Sequence, residues 1–291
     1  MADRIGISNF KRTLLFAVIG LAVCSHYVAA QRVAILTPSG NELSGELASA
    51  VAEKLGSRIK IDDLDLSRAA AESVSLKEPF NLHRSEAAAL GRVLGTTHFI
   101  LLRAEELRRT SSAIEEYYEA YAALYLVSSA TGELLSWQIF TSERPSSSEA
   151  RKELISRSDT IAAYLTEQVV TSAKVAQRID GKKFPEVPEP GTPGFQDLRP
   201  PMPYRRLRPE YTLQANLYGI SATVEAEVSI DTDGTIVHLD VVRWAGFGLD
   251  ESVISAVRSM NWRPASIGNR FLPMRVLLRY NFVKLEKDED R

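Results

Sequence analysis

The run Ser221-Ala-Thr-Val-Glu-Ala-Glu-Val-Ser-Ile230 alternates small or apolar residues with polar ones, and Asp231-Thr-Asp-Gly234 follows it directly. Ala222, Val224, Ala226, Val228 and Ile230 share one face of an extended chain, with Thr223, Glu225, Glu227 and Ser229 on the other. Such a period of two marks a strand with one face buried. The Asp-Thr-Asp-Gly step turns the chain, and Ile236 to Val242 returns as a second strand. Upstream, Glu210 to Tyr218 reads as a helix stopped by Gly219; downstream, Asp250 is placed to cap a helix running through Met260. Leu272 to Val283 supplies a last long strand. The order α-β-β-α-β describes a small compact unit, residues 210–285, ahead of a charged tail, 286–291.

The preceding segment, residues 181–209, differs in composition. Pro185, Pro188, Pro190, Pro193, Pro200, Pro201, Pro203 and Pro209 fall close together, with Gly191 and Gly194 among them. A stretch so rich in Pro is expected to be an extended, semi-rigid linker, reaching ~80 Å if fully polyproline II. It ends in the basic run Tyr204-Arg-Arg-Leu-Arg208, whose Arg205, Arg206 and Arg208 read as a solvated hinge or as a contact for an anionic surface.

Residues 31–180 read as an α/β domain. Arg32 to Leu36 is a buried strand; Leu43, Leu47, Ala50, Val51 and Leu55 recur at helical spacing up to Gly56. Ile59 and Ile61 mark a short strand, His83 to Leu94 a helix stopped at Gly95, and His98 to Leu102 another strand. Tyr117 to Phe140 reads as a hairpin turning at Ala130-Thr-Gly-Glu133, and Ser148 to Val175 as one long helix. The overall class is α+β: an N-terminal α/β domain on a mixed sheet, a Pro-rich linker and the small C-terminal unit.

Residues 1–30 carry Arg4, Lys11 and Arg12 before an apolar run from Leu14 to Val23, then Val28-Ala-Ala30. This is the pattern of a signal peptide cleaved before Gln31, and the apolar run is well short of the ~20 residues that span a bilayer. An uncleaved anchor is the alternative. Lipidation at Cys24 is a third reading, weakened by Val23 where a small residue is expected. Export places the chain in the periplasm of a Gram-negative-type envelope.

The 291 residues carry a formal net charge of −2 and a pI near 6.2, so no basic field invites nucleic acid. Four His and one Cys leave little for metal or thiol chemistry. Asp231 and Asp233 resemble the opening of a calcium loop but lack its later acidic ligands, which favours a hairpin turn. Gly246-Phe-Gly248 lacks the third glycine of a dinucleotide loop. Asp62, Asp63 and Asp65 read as a solvated acidic turn, and His83, His98 and His238 have no ligand at readable spacing. No serine sits in a nucleophile elbow. The expectation is a protein that is not an enzyme and holds no cofactor or metal. Trp262 is a core anchor by pattern, and Trp244 is expected to be partly exposed.

Several anchors in register carry a family resemblance over about residues 200–284. Gly219-Ile220, Val224-Glu-Ala-Glu-Val228, Ile230-Asp-Thr-Asp-Gly234, Leu249-Asp250, Ala256-Val257 and Trp262-Arg-Pro-Ala265 resemble the C-terminal domain of TonB. Ser221-Ala222 replaces the family's small-Gly step, and Thr212 stands where a Pro follows the Tyr. A three-stranded sheet with one helical cover leaves an outer strand with unpaired backbone groups, a template for strand addition. The resemblance implies that the last strand, about Pro273 to Phe282, receives the N-terminal box of a TonB-dependent outer-membrane receptor. Its site residues are Met274, Arg275, Val276, Leu277, Leu278, Arg279, Tyr280 and Asn281. Homodimer pairing along the same edge, another envelope partner, or a structural role on peptidoglycan are the alternatives. TonB itself keeps a membrane helix with a Ser and a His one turn apart; here Ser25 and His26 are adjacent and face different ways, so energy transduction depends on an uncleaved anchor. More weakly, Ala87 to Gly95 before His98, and Leu126 to Glu133, resemble the α/β domain of TolB and of the curli-secretion lipoprotein.

Overall fold

The structure is a computed structural model that describes residues 31–111, 115–175 and 184–284. The expected signal with Cys24, Ser25 and His26, and the tail 286–291, lie outside the described residues.

The N-terminal unit is built on strands β1 (Arg32–Leu36), β2 (Lys60–Ile61), β3 (His98–Arg109), β4 (Tyr117–Ser128) and β5 (Leu134–Arg144) in the order β2-β1-β3-β4-β5. β1 runs parallel to β2 and β3, whereas β3, β4 and β5 form an antiparallel meander. Helix α1 (Glu42–Gly56) starts where the Asn41 side chain accepts from the Ser44 amide, and α2 (Leu64–Glu72) where Asp63 accepts from the Asp65 and Leu66 amides. α3 (Arg84–Leu94) has a capping box in which His83 and Glu86 satisfy each other's backbone N–H groups. The single helix expected from Ser148 to Val175 is two, α4 (Ser147–Ser156) and α5 (Ser158–Val175), broken at Arg157. α1, α4 and α5 close one face of the sheet, burying Ile35, Leu47, Val51, Ile100, Leu124, Leu154 and Leu165 together.

In the C-terminal unit, β8 (Ala222–Ile230) lies between β9 (Ile236–Arg243) and β13 (Met274–Phe282) in a three-stranded antiparallel sheet. Helix α7 (Leu249–Arg258) sets Val253 and Val257 against the apolar face of β8. The first helix of the unit, α6 (Leu213–Leu217), is shorter than the sequence predicts; Thr212 caps it by accepting from the Ala215 amide. Short strands complete the unit: β6 (Leu198–Arg199), β7 (Met202–Pro203), β10 (Trp262–Arg263), β11 (Ala265–Ile267) and β12 (Arg270–Leu272), with β6 and β12 flanking β11 and β7 pairing β10.

The second face of the N-terminal sheet is where the two units meet. Phe99, Leu101, Tyr121 and Tyr125 on that face share one core with Leu90 of α3 and with Trp244, Phe247, Val224 and Val253 of the C-terminal unit. Phe247 packs 5.1 Å from the Trp137 ring, and Tyr218 lies 4.5 Å from Tyr121. Trp244, expected to be partly exposed, is 1% exposed, because the N-terminal unit covers it and the Gly132 carbonyl accepts from its Nε1 at 3.2 Å. A carboxylate decides the geometry here too. Asp250 was expected to cap α7, yet Gly248 occupies that position, and Asp250 instead accepts from the Ala245 and Gly246 amides at 2.9 and 2.8 Å.

The Pro-rich segment does not stand clear of the fold. Leu198 is buried with Ala265 and Met274, and Val187 and Phe195 pack on that cluster. The segment is extended only in part: it turns at Pro190-Gly191 and forms a 3-10 turn over Pro193–Phe195, which brings Phe195 and Leu198 onto the C-terminal unit.

Candidate functional site

The two outer strands of the C-terminal sheet meet different surroundings. At the end of β9, His83 forms an antiparallel bridge to Arg243, and the Trp244 amide donates to the Leu82 carbonyl at 3.3 Å. The N-terminal unit thus closes the far end of β9. β13 pairs with β8 along its whole length, from Met274 opposite Ile230 to Phe282 opposite Ala222, and its other side is the sheet edge.

Side chains along β13 alternate. Met274, Leu278, Tyr280 and Phe282 are buried on the core side, whereas Leu277 and Asn281 are exposed and Arg275 and Arg279 pair with acidic groups of β8. The polar face is denser than the alternation predicts. Glu225 is 3% exposed, and accepts from Arg243 at 3.2 Å and from Arg279 at 2.6 Å. Burial works against the charged form, but the two guanidinium bonds prevail and hold its pKa below the usual carboxylate value.

Backbone groups at the edge follow the odd positions. The Arg275 N–H donates to the Pro185 carbonyl at 2.9 Å, and the Val187 N–H donates to the Arg275 carbonyl at 3.2 Å. Four residues on, the Arg279 carbonyl accepts from the Arg206 guanidinium at 2.7 Å, and that guanidinium lies 4.8 Å from the centre of the Tyr280 ring. The period of two turns the backbone groups of Leu277 and Asn281 to the same side. Beyond Arg279 a groove of about 630 Å³ opens, lined among others by Arg208, Tyr211, Leu213, Tyr280, Phe282 and Val283. Leu213 is 85% exposed at its rim, and the buried Tyr280 hydroxyl has no hydrogen-bond partner among the described residues. Of the basic hinge, Arg206 touches β13, Arg208 lines the groove, and Arg205 faces solvent.

The other candidates are spent on structure. Asp62 pairs with Arg32 at 2.8 Å, Asp63 caps α2, and Asp65 pairs with Arg68 at 2.6 Å. His98 lies 3.1 Å from the Ser172 hydroxyl, and burial lowers its pKa. His238 is exposed near the Asp240 carboxylate. Asp231 and Asp233 accept from the Thr232 and Thr235 amides in the β8–β9 turn. Sequence reasoning did not find Pro185–Val187 or Asn81–His83 as neighbours of the sheet. The only signal was Phe184-Pro-Glu-Val187, apolar at both ends amid Pro and charge.

A three-stranded antiparallel sheet covered by one helix, with its last strand at the edge beside an aromatic groove, defines a small α+β module with an open sheet edge. Residues 208–283 match the family described as "Gram-negative bacterial TonB protein C-terminal", and this unit is TonB-like. No curated protein matches the chain. Among solved structures, the TonB C-terminal domain of Pseudomonas aeruginosa is 24% identical, with 32% of this chain and 90% of that one covered and a TM-score of 0.26. The lipoprotein GNA1162 of Neisseria meningitidis is 13% identical over 48% of this chain and 99% of that one, with a TM-score of 0.33. The PelC dodecamer of Paraburkholderia phytofirmans is 12% identical over 46% and 84%, with a TM-score of 0.27. No described helix is long and apolar enough to cross a membrane.

Proposed function

We propose that the chain is a non-enzymatic cell-envelope protein whose β13 edge takes an extended segment of a partner by strand addition. The partner class that suits a TonB-type domain is an outer-membrane receptor or another envelope protein, met in the periplasm and supporting transport across the outer membrane. The observation that carries the reading is the edge itself: Leu277 and Asn281 turn their backbone groups outward beside the groove at Tyr280. Main-chain bonds to those groups would supply affinity, and the groove would supply side-chain selection. Self-pairing of two copies uses the same groups and is separated by its dependence on protein concentration.

The direct test is titration of the chain with N-terminal peptides of TonB-dependent receptors, comparing wild type with Leu277→Pro. Proline at 277 removes one outward N–H and no bond to β8, so it abolishes strand addition while leaving the fold, as edge positions tolerate proline. Equal peptide affinity in both proteins would sink the reading.

A further inference from the structure

We infer that Pro185–Val187 is an internal ligand of the β13 edge at Arg275, and that a strand extending along the edge to Arg275 must displace it. The inference rests on the proposed strand addition and says what that edge recognises. Glu186 forms a parallel bridge with Arg275, bounded by the Arg275-to-Pro185 and Val187-to-Arg275 backbone bonds at 2.9 and 3.2 Å. The Glu186 carboxylate accepts from the Arg275 guanidinium, which also reaches Glu227 at 2.8 Å. A short piece of the chain therefore does what a partner strand would do, in one defined direction.

The prolines limit it to that. The backbone groups of residues 185 and 187 face β13, so those of Glu186 between them face away from it. Pro185 and Pro188 flank Glu186 and bring no N–H of their own, which limits how far this segment can pair. The pairing covers only Arg275, and the edge from Leu277 onward stays uncovered by the segment. Glu186 is 73% exposed, so its ion pair sets register more than it adds strength. Two backbone bonds, a surface ion pair and the partly buried Val187 side chain make up the contact that an arriving strand has to replace. The segment also specifies the incoming chain: it runs parallel to β13 and carries a carboxylate opposite Arg275.

The test is residue-resolved amide exchange on the full chain, for wild type, Val187→Pro and the milder Glu186→Arg. The Arg275 amide should exchange about tenfold faster in Val187→Pro and several-fold faster in Glu186→Arg, while Val276 and Leu278, paired to β8, stay protected. A synthetic peptide of residues 184–190 added in trans should then restore Arg275 protection in both variants, at a concentration at least about tenfold lower than that needed to perturb wild type. In Arg275→Glu, the same peptide with Lys in place of its Glu186 should bind better than the native peptide. Unchanged Arg275 exchange in both variants, or equal peptide titrations of wild type and variants, would overturn the inference. The readout uses the chain's own peptide, so failure of receptor peptides to bind would refute the proposed partner class and leave this result standing.

Discussion

The Asn81 side-chain amide stands beside Thr223 as a strand would: its Nδ2 donates to the Thr223 carbonyl at 2.8 Å, and its Oδ1 accepts from the Thr223 N–H at 2.9 Å. The same Nδ2 donates to the Trp244 carbonyl at 2.8 Å. Asn81 belongs to the N-terminal unit and both partners to the C-terminal one, so a single 6% exposed residue ties the units through backbone groups. Asn81→Ala would leave those groups buried without partners, at a cost of about 3 kcal/mol. The expected result is a lower urea midpoint with one cooperative transition followed by both tryptophan fluorescence and far-UV dichroism. Two separated transitions in the wild type would show that the units fold independently.

Gly246 opens the loop that carries Phe247 into the N-terminal sheet. Its φ is +71°, and a Cβ there would lie 2.5 Å from the Trp137 ring and 2.9 Å from Tyr125. Gly246→Ala therefore combines left-handed strain with a clash against two rings that are themselves packed. A loss of about 3 kcal/mol is expected, against about 1 kcal/mol for Gly191→Ala, where φ is +89° but the space is open. Equal midpoints for the two variants in thermal unfolding would refute the packing role.

Much of this fold is legible from local pattern. Val224, Val228 and Ile230 announce β8 because one buried face imposes a period of two, and Leu43, Leu47, Val51 and Leu55 announce α1 for the corresponding helical reason. The last strand could be placed at the edge from element order and resemblance together. What escaped depended on residues distant in sequence. Trp244 is buried by a sheet whose nearest strand ends about a hundred residues earlier, and Asp250 looks like a helix cap until the Ala245–Gly246 turn comes back to meet it. Pro185–Val187 pairs through two bonds only, too few to leave a period in the sequence. The register puts Glu225 on the polar face of β8, and only the arginines of β9 and β13 explain its burial there.

Asp250 should make stability depend on pH. Burial raises its pKa to about 7, opposed by the bonds from the Gly246 and Ala245 amides. A carboxyl whose folded pKa exceeds its unfolded value favours the protonated fold. Its contribution is complete below about pH 4 and is lost as pH rises through 7, a change of up to about 4 kcal/mol. Asp250→Asn keeps an acceptor for both amides and cannot ionise. The stability difference between wild type and Asp250→Asn, measured by denaturant titration from pH 4 to 8, should therefore turn against the wild type as pH rises. A flat difference would show that the two amides hold the carboxylate charged across the range.

Glu225 gives the opposite sign. Its carboxylate sits between Arg243 and Arg279, and the strand pairs Glu225 with Arg279 across β8 and β13 and with Arg243 across β8 and β9. A depressed folded pKa contributes stability above the unfolded value near 4.5 that is lost as pH falls through the folded one. Glu225→Gln removes the charge but keeps the shape, leaving the Arg243 guanidinium, whose side chain is 23% exposed, with the half-exposed Glu86 carboxylate and the Asn81 carbonyl in place of its buried counter-ion. A loss of about 3 kcal/mol at pH 7 is expected, shrinking below pH 4. Because Arg279 is 64% exposed, it can turn to water, so the penalty should fall mainly on β9 and its junction with Asn81–His83. A larger rise in amide exchange over wild type at Arg243 and Trp244 than at Leu278 and Tyr280, whose amides pair with β8, in Glu225→Gln would confirm that division. The reverse order would place the ion pair's role at the β13 edge instead.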